Sequence, residues 1–99
     1  MSTLEGEIRS FLRSDVPPGR TPELERWIER CRRFGDLAAS VCIERLHSGT
    51  EAEQYAALIC VRQHGYEAWG EDYGPKFHYR YRAIGETTWT IVDPVIKPE

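Results

Sequence analysis

Residues 77–92 read FHYRYRAIGETTWTIV, and two β-strands are legible in that stretch. From Phe77 to Ile84, and again from Thr87 to Val92, aromatic and β-branched residues crowd together. These are the types that fit a pleated, half-buried surface. Gly85-Glu86 separates the two runs with glycine first, as a type II′ hairpin turn requires. A two-residue loop there sets Ile84 against Thr87, Arg82 against Trp89, Arg80 against Ile91 and His78 against Asp93. Alternation assigns Phe77, Tyr79, Tyr81 and Val92 to one face, and His78, Arg80, Arg82, Trp89 and Ile91 to the other. The first face suits a core. The second is polar, with Arg82 set to stack on Trp89 as a cation–π pair.

Working backwards from this hairpin, Tyr66-Glu67-Ala68-Trp69 alternates after a glycine stop and predicts a short strand, with Gly70 to Pro75 as a turn. Everything before Gly65 has helical periodicity. Residues 3–14 space Leu4, Ile8, Phe11 and Leu12 as one stripe, and Pro17-Pro18 ends that helix. Thr21-Pro22 starts a second helix as N-cap and first-turn proline, with Leu24, Trp27, Ile28 and Cys31 as its apolar stripe. A third follows over residues 37–47 behind Asp36. A fourth spans roughly 51–64 and is the most apolar, the expected buried spine. The expected fold class is therefore α+β: about four N-terminal helices, then a short three-stranded antiparallel sheet ending in a β-hairpin. Its divisions are 1–20 for the first helix and the proline-rich turn, 21–64 for helices, 65–94 for the sheet and 95–99 for a tail.

The chain has 99 residues, 40% of them apolar and 29% charged, with a net charge of −3. That length suits a single domain over 1–99, and that composition a globular one. Nothing in the charge balance attracts a polyanion, so nucleic acid is not an expected partner. No apolar run approaches the roughly 18 residues that span a bilayer, and the start carries no secretory signal. The expected location is the cytoplasm. Cys31, Cys42 and Cys60 are odd in number and widely spaced. Each lies in an apolar or helical run, which predicts reduced, buried thiols rather than a disulfide framework.

The hairpin register brings His78 to Asp93 at its open end. A carboxylate beside an imidazole orients the ring and raises its basicity, the supporting half of a nucleophile–His–Asp triad. The pattern of His78, then Trp89, then Asp93-Pro94 within Trp89-Thr90-Ile91-Val92-Asp93-Pro94 resembles the end of transglutaminase-like domains. The run His64-Gly65-Tyr66-Glu67-Ala68 behind the fourth helix is similar to that superfamily's helix-to-strand entry. The resemblance covers residues 49–94. It implies His78 and Asp93 as the base and its orienter. It also implies a cysteine at the start of the fourth helix, where this chain has Ser48-Gly49-Thr50-Glu51-Ala52 instead.

Two expectations follow. The first is a non-catalytic module that binds a protein or peptide partner through Trp69, Arg80, Arg82 and Trp89, since Trp and Arg dominate binding hot spots. The alternative is a thiol enzyme for acyl transfer or amide hydrolysis, with Cys42 as nucleophile beside His78 and Asp93. Neither reading calls for a cofactor or metal. His47 and His64 sit at helix ends, where a cation complements the helix dipole, with no ligand partner at metal spacing. Arg26, Arg30 and Arg33, interleaved with Glu23, Glu25 and Glu29, read as a solvated helix face. Glu67, Glu71 and Asp72 give the edge strand around Trp69 and Tyr73 an acidic border.

Overall fold

A computed structural model describes residues 3–73 and 76–92. Four helices come first: α1 (Leu4–Arg13), α2 (Pro22–Arg33), α3 (Leu37–Ser48) and α4 (Glu51–Val61). A single 3-10 turn, Arg62–His64, leads into β1 (Tyr66–Tyr73), β2 (Lys76–Ala83) and β3 (Thr90–Val92). The strands form one antiparallel sheet in the order β1-β2-β3. This is the α+β architecture expected from the sequence.

The helix starts follow from their capping residues. Thr3, Thr21 and Thr50 each accept a first-turn backbone N–H through the side-chain oxygen, which satisfies a donor the helix itself leaves open. At α4 the cap is reciprocal: Thr50 Oγ1 accepts the Glu53 N–H, and Glu53 accepts the Thr50 N–H, both at 3.2 Å. Gly65 takes φ +81° after the 3-10 turn, a left-handed stop that glycine adopts without strain. α3 and α4 are joined so tightly at Gly49 that a Cβ there would lie 2.5 Å from the Arg45 carbonyl oxygen. Gly49→Ala is therefore expected to lower stability by about 1–3 kcal/mol, as forced overcrowding does elsewhere. Urea titration of the variant checks this, and an unchanged midpoint would show that the junction can give.

One core joins helices and sheet. It draws Ile8, Phe11 and Leu12 from α1, Trp27 and Cys31 from α2, and Ala38, Val41, Cys42 and Leu46 from α3. α4 gives Ala56, Ala57, Leu58, Cys60 and Val61, and the sheet gives Ala68, Tyr79 and Val92. α4 is the central spine: even its Glu53 and Gln54 are buried, and past its first two residues Tyr55 alone is exposed. α2 lies at the other extreme, with Trp27 and Cys31 its only fully buried residues.

The sheet departs from expectation at two places. β1 does not stop at Trp69 but continues to Tyr73, pairing Gly70 with Tyr79 and Tyr73 with Lys76. Gly70 is tolerated in the strand because an aromatic neighbour stands opposite it. The turn after β2 also closes earlier than the Gly85-Glu86 loop. The Glu86 N–H donates to the Ala83 carbonyl at 3.0 Å, which places Gly85, at φ +98°, third in the turn. That is the position a type II turn gives to glycine. Ile84 cannot pair with Thr87 because its N–H is already donated to the Gly65 carbonyl at 3.0 Å, on the β1 side. β3 accordingly begins only at Thr90, yet its register is the expected one, with Arg80 opposite Ile91 and Tyr79 opposite Val92.

Candidate functional site

The expected polar face is the outer face of the sheet. Tyr79 and Val92 point inward and are buried, so their strand neighbours Arg80 and Ile91 point outward. In β1, Ala68 is buried and Trp69 faces out, directly opposite Arg80. Ile91 and Trp69 are 61% and 51% exposed, high values for large apolar side chains and enough to mark this face as uncovered by the described residues.

Cations and indoles alternate across this surface. The Trp89 ring centroid lies 4.3 Å from the guanidinium carbon of Arg80 and 4.3 Å from that of Arg82. Arg62 lies 4.7 Å over the Trp69 ring. A guanidinium so close to an indole face is attracted by the ring quadrupole, about 0.5–1 kcal/mol at an exposed site. Arg82 also donates from Nε to the Glu67 carboxylate at 2.6 Å. Arg62 donates from Nε to the Ala68 carbonyl at 2.6 Å. Arg62 and Arg82 are each anchored by both a ring and a hydrogen bond, and the Arg82–Trp89 stack expected from the sequence is present. Trp89 is held by these cations from outside β3, in the irregular segment ahead of it.

The residues of the alternative site do not share a face. Cys42 is fully buried among the helices, whereas His78 neighbours the buried Tyr79 on the strand and so points to the outer face. Asp93 lies outside the described residues, as do Pro94 and the side chains of Glu71, Asp72, Tyr73 and Phe77. The neighbouring Cys60 thiol, and after it burial, push the Cys42 thiol far above the ordinary thiol range. The nucleophile of an acyl-transfer enzyme needs the opposite shift.

Sequence reasoning missed where the cysteines meet. Cys31, Cys42 and Cys60 come from α2, α3 and α4, and all three are free and fully buried. The expectation of reduced, buried thiols holds, but they are not three independent core residues. The three lie close enough to shift one another's ionisation, Cys60 acting on each of the others. His64 joins them: its Nε2 lies 2.7 Å from the Cys31 carbonyl oxygen, and it favours the ionised form of Cys60. A carbonyl only accepts, so Nε2 carries the proton. The Cys31 and Cys42 thiols pull Cys60 below the ordinary thiol range. His64 adds to this, and together they outweigh the burial that opposes ionisation. Cys31 is pushed up, by the neighbouring Cys60 thiol and by burial. One signal was available in the sequence: Cys60 and His64 are one helical turn apart.

Among the described residues no group of three or more Cys, His, Asp or Glu is placed to hold a metal ion. Among them, too, no helix is long and apolar enough to cross a membrane. No protein-family model, no curated protein and no solved structure matches the chain.

Proposed function

We propose that this chain is a non-catalytic binding module, transglutaminase-like in its C-terminal half, whose outer sheet face takes a protein or peptide segment presenting carboxylates. The observation that carries the reading is the Arg80–Trp89–Arg82 cluster beside the exposed Trp69 and Ile91. Indole and guanidinium are the groups that most often supply binding energy at protein interfaces. Stacking fixes them before a partner arrives, which reduces the ordering cost of about 0.5–1.5 kcal/mol per immobilised side chain. Stacked guanidinium groups keep their N–H edges, which match a carboxylate in geometry and charge. Glu67 takes one such edge of Arg82 and illustrates the recognition. Cys42, buried and protonated, offers no chemistry to a substrate on this face.

Selection from a displayed random-peptide library tests the proposal. The wild-type chain is expected to enrich acidic peptides that carry an apolar anchor. Against those peptides Trp89→Ala and Arg82→Ala are expected to bind about tenfold or more weakly, the size of a hot-spot loss. A folded Cys42→Ser variant is expected to bind unchanged. Equal binding by wild type and Trp89→Ala, or loss of binding in a folded Cys42→Ser variant, would overturn the proposal.

A further inference from the structure

The two edges of the sheet differ, and register fixes the difference. The Ile84 N–H donates to the Gly65 carbonyl at 3.0 Å, so Gly65 and Ile84 form a directly bonded antiparallel pair. Such pairs recur at every second position. Trp69 and Arg80 are therefore bonded as well, and the Arg80 backbone is aimed at β1. Ile91 stands opposite Arg80 on the other side. With the Arg80 backbone engaged by β1, the N–H and C=O of Ile91 point away from β2, out of the β3 edge. The same count turns the Ala68 carbonyl out of the β1 edge, and there Arg62 Nε donates to it at 2.6 Å. Arg62 also lies over the Trp69 ring, so a strand arriving at β1 would have to break both contacts. The β1 edge is closed at that carbonyl. At the β3 edge Ile91 is 61% exposed, Thr90 is exposed too, and among the described residues no strand lies beyond. An edge open in this way is a template for one more strand.

We propose that the partner of the outer sheet face binds as an added strand, antiparallel to β3, with carboxylates at alternate positions. This rests on the reading of that face as a surface for carboxylate-bearing segments, and it adds the backbone geometry that holds such a segment.

Charge and alternation specify the occupant. Residues directly opposed in an antiparallel pair share a face, so the residue bonded to Ile91 puts its side chain on the outer one. Among the described side chains there, Arg62, Arg80 and Arg82 stand against one carboxylate, Glu67. The added strand lies two strand spacings from β2, about 10 Å, which a glutamate and an arginine side chain span between them. Carboxylates at every second position thus meet the Arg80–Trp89–Arg82 cluster, and guanidinium N–H edges take them. The intervening residues point to the side on which Val92 is buried, which suits valine. A second copy of this chain, paired edge to edge through β3, would instead set two arginine clusters on one face, like charge beside like.

The probe is an acetylated, amidated octapeptide of alternating glutamate and valine, titrated calorimetrically into the full chain. Binding is expected. In an antiparallel ladder its glutamate amides face β3 and its valine amides face away. N-methylation of the glutamate amides should therefore weaken binding about tenfold or more, and N-methylation of the valine amides less than about threefold. On the protein side, Ile91→Pro removes the outward N–H and no bond of the sheet, and edge strands accept proline. It should bind about tenfold more weakly than Ile91→Thr, which keeps the N–H. Should the proline variant not fold, the methylated peptides decide alone. Equal losses in the two methylated series, or a larger loss in the valine series, would overturn strand addition. So would equal binding by the two Ile91 variants. The surface reading would survive either result as long as Trp89→Ala and Arg82→Ala still lose binding. Failure of the unmethylated octapeptide to bind would also overturn strand addition, and the library selection then judges the surface separately. A wild-type dimer that Ile91→Pro dissolves would overturn it by making a second copy the occupant.

Discussion

Trp27→Ala is expected to cost about 3–5 kcal/mol of stability, the usual price of removing a buried indole. The expected total for a domain of this size is only about 5–15 kcal/mol, so the variant should sit near the edge of folding. Trp27 is 6% exposed and its ring stacks on Phe11 at 4.8 Å between centroids, with Phe34 against the other partner of that stack at 5.2 Å. Since α2 has only Cys31 as a second fully buried residue, losing Trp27 should release α2 before the rest of the molecule. Hydrogen exchange is therefore expected to show α2 amides unprotected while those of α3 and α4 keep protection. Trp27→Phe supplies the control. Among the described residues the buried indole N–H has no hydrogen-bond partner, so replacing it with a phenyl ring removes an unsatisfied donor along with some contact area. The phenylalanine variant should thus lose far less than the alanine one. If both lose the same, the indole's area is not what anchors α2.

The second large effect is expected at Arg45. Its Nε donates to Glu44 at 2.6 Å and its Nη1 to Glu53 at 3.3 Å, and Glu53 is 5% exposed. Removing one member of a buried ion pair leaves an uncompensated charge, typically about 3–5 kcal/mol. Arg45→Met keeps the aliphatic volume and removes the charge. Because Arg13 stands 3.7 Å from Glu53 and can approach it, the lower end, about 3 kcal/mol, is expected. Thermal unfolding should fall by about 12 °C or more. The loss should also depend on pH. For Glu53, burial raises the carboxyl pKa, but hydrogen bonding from Thr50 and then Arg45 outweighs it and leaves it below the ordinary 4.5. Glu44 is likewise lowered, chiefly by its hydrogen bond to Arg45. Groups with depressed folded values stabilise fully above the unfolded value, and that contribution disappears as pH falls through the folded one. The gap between wild type and variant should therefore be widest near neutrality and close below about pH 4. A gap that stays constant from pH 7 to pH 3 in urea titrations would mean the carboxylates are not what Arg45 stabilises.

These two sites differ in how far the sequence announced them. Trp27 belongs to a stripe with Leu24, Ile28 and Cys31, and helical periodicity alone puts it inside. The caps at Thr21 and Thr50, the stop at Gly65 and the inward set Tyr79, Tyr81 and Val92 were legible for the same reason. Each is decided by neighbours within a turn or along one strand. The Arg45–Glu53 pair was not, because it bridges two helices across the Gly49 junction and depends on the angle between them. The cysteine cluster lay further out of reach, since it needs three helices to be placed at once. The hairpin turn failed more narrowly. Gly85 was recognised as the residue with positive φ, but whether it stands second or third in the turn depends on where Ile84 donates its N–H. That donor goes to Gly65, some twenty residues upstream. On the candidate surface, alternation identified Arg80, Arg82, Trp89 and Trp69, while the part Arg62 plays over Trp69 comes from a turn that periodicity does not describe.

The order of the sheet bears on how the chain reaches its native state. Each strand pairs with its neighbour in sequence, and no strand crosses over another. Within the sheet, loop closure is therefore never required over long stretches of chain, which favours fast pairing compared with sandwiches and barrels. The four helices can form on sub-microsecond to microsecond times, and each hairpin on microseconds. What must wait is α4, whose buried residues face the helices before it and the sheet after it. During synthesis the helical front would leave the ribosome with one side of that spine still open to water. Condensation of β1 onto α4, through the short Arg62–His64 link, is then the step at which the transition state would be crossed.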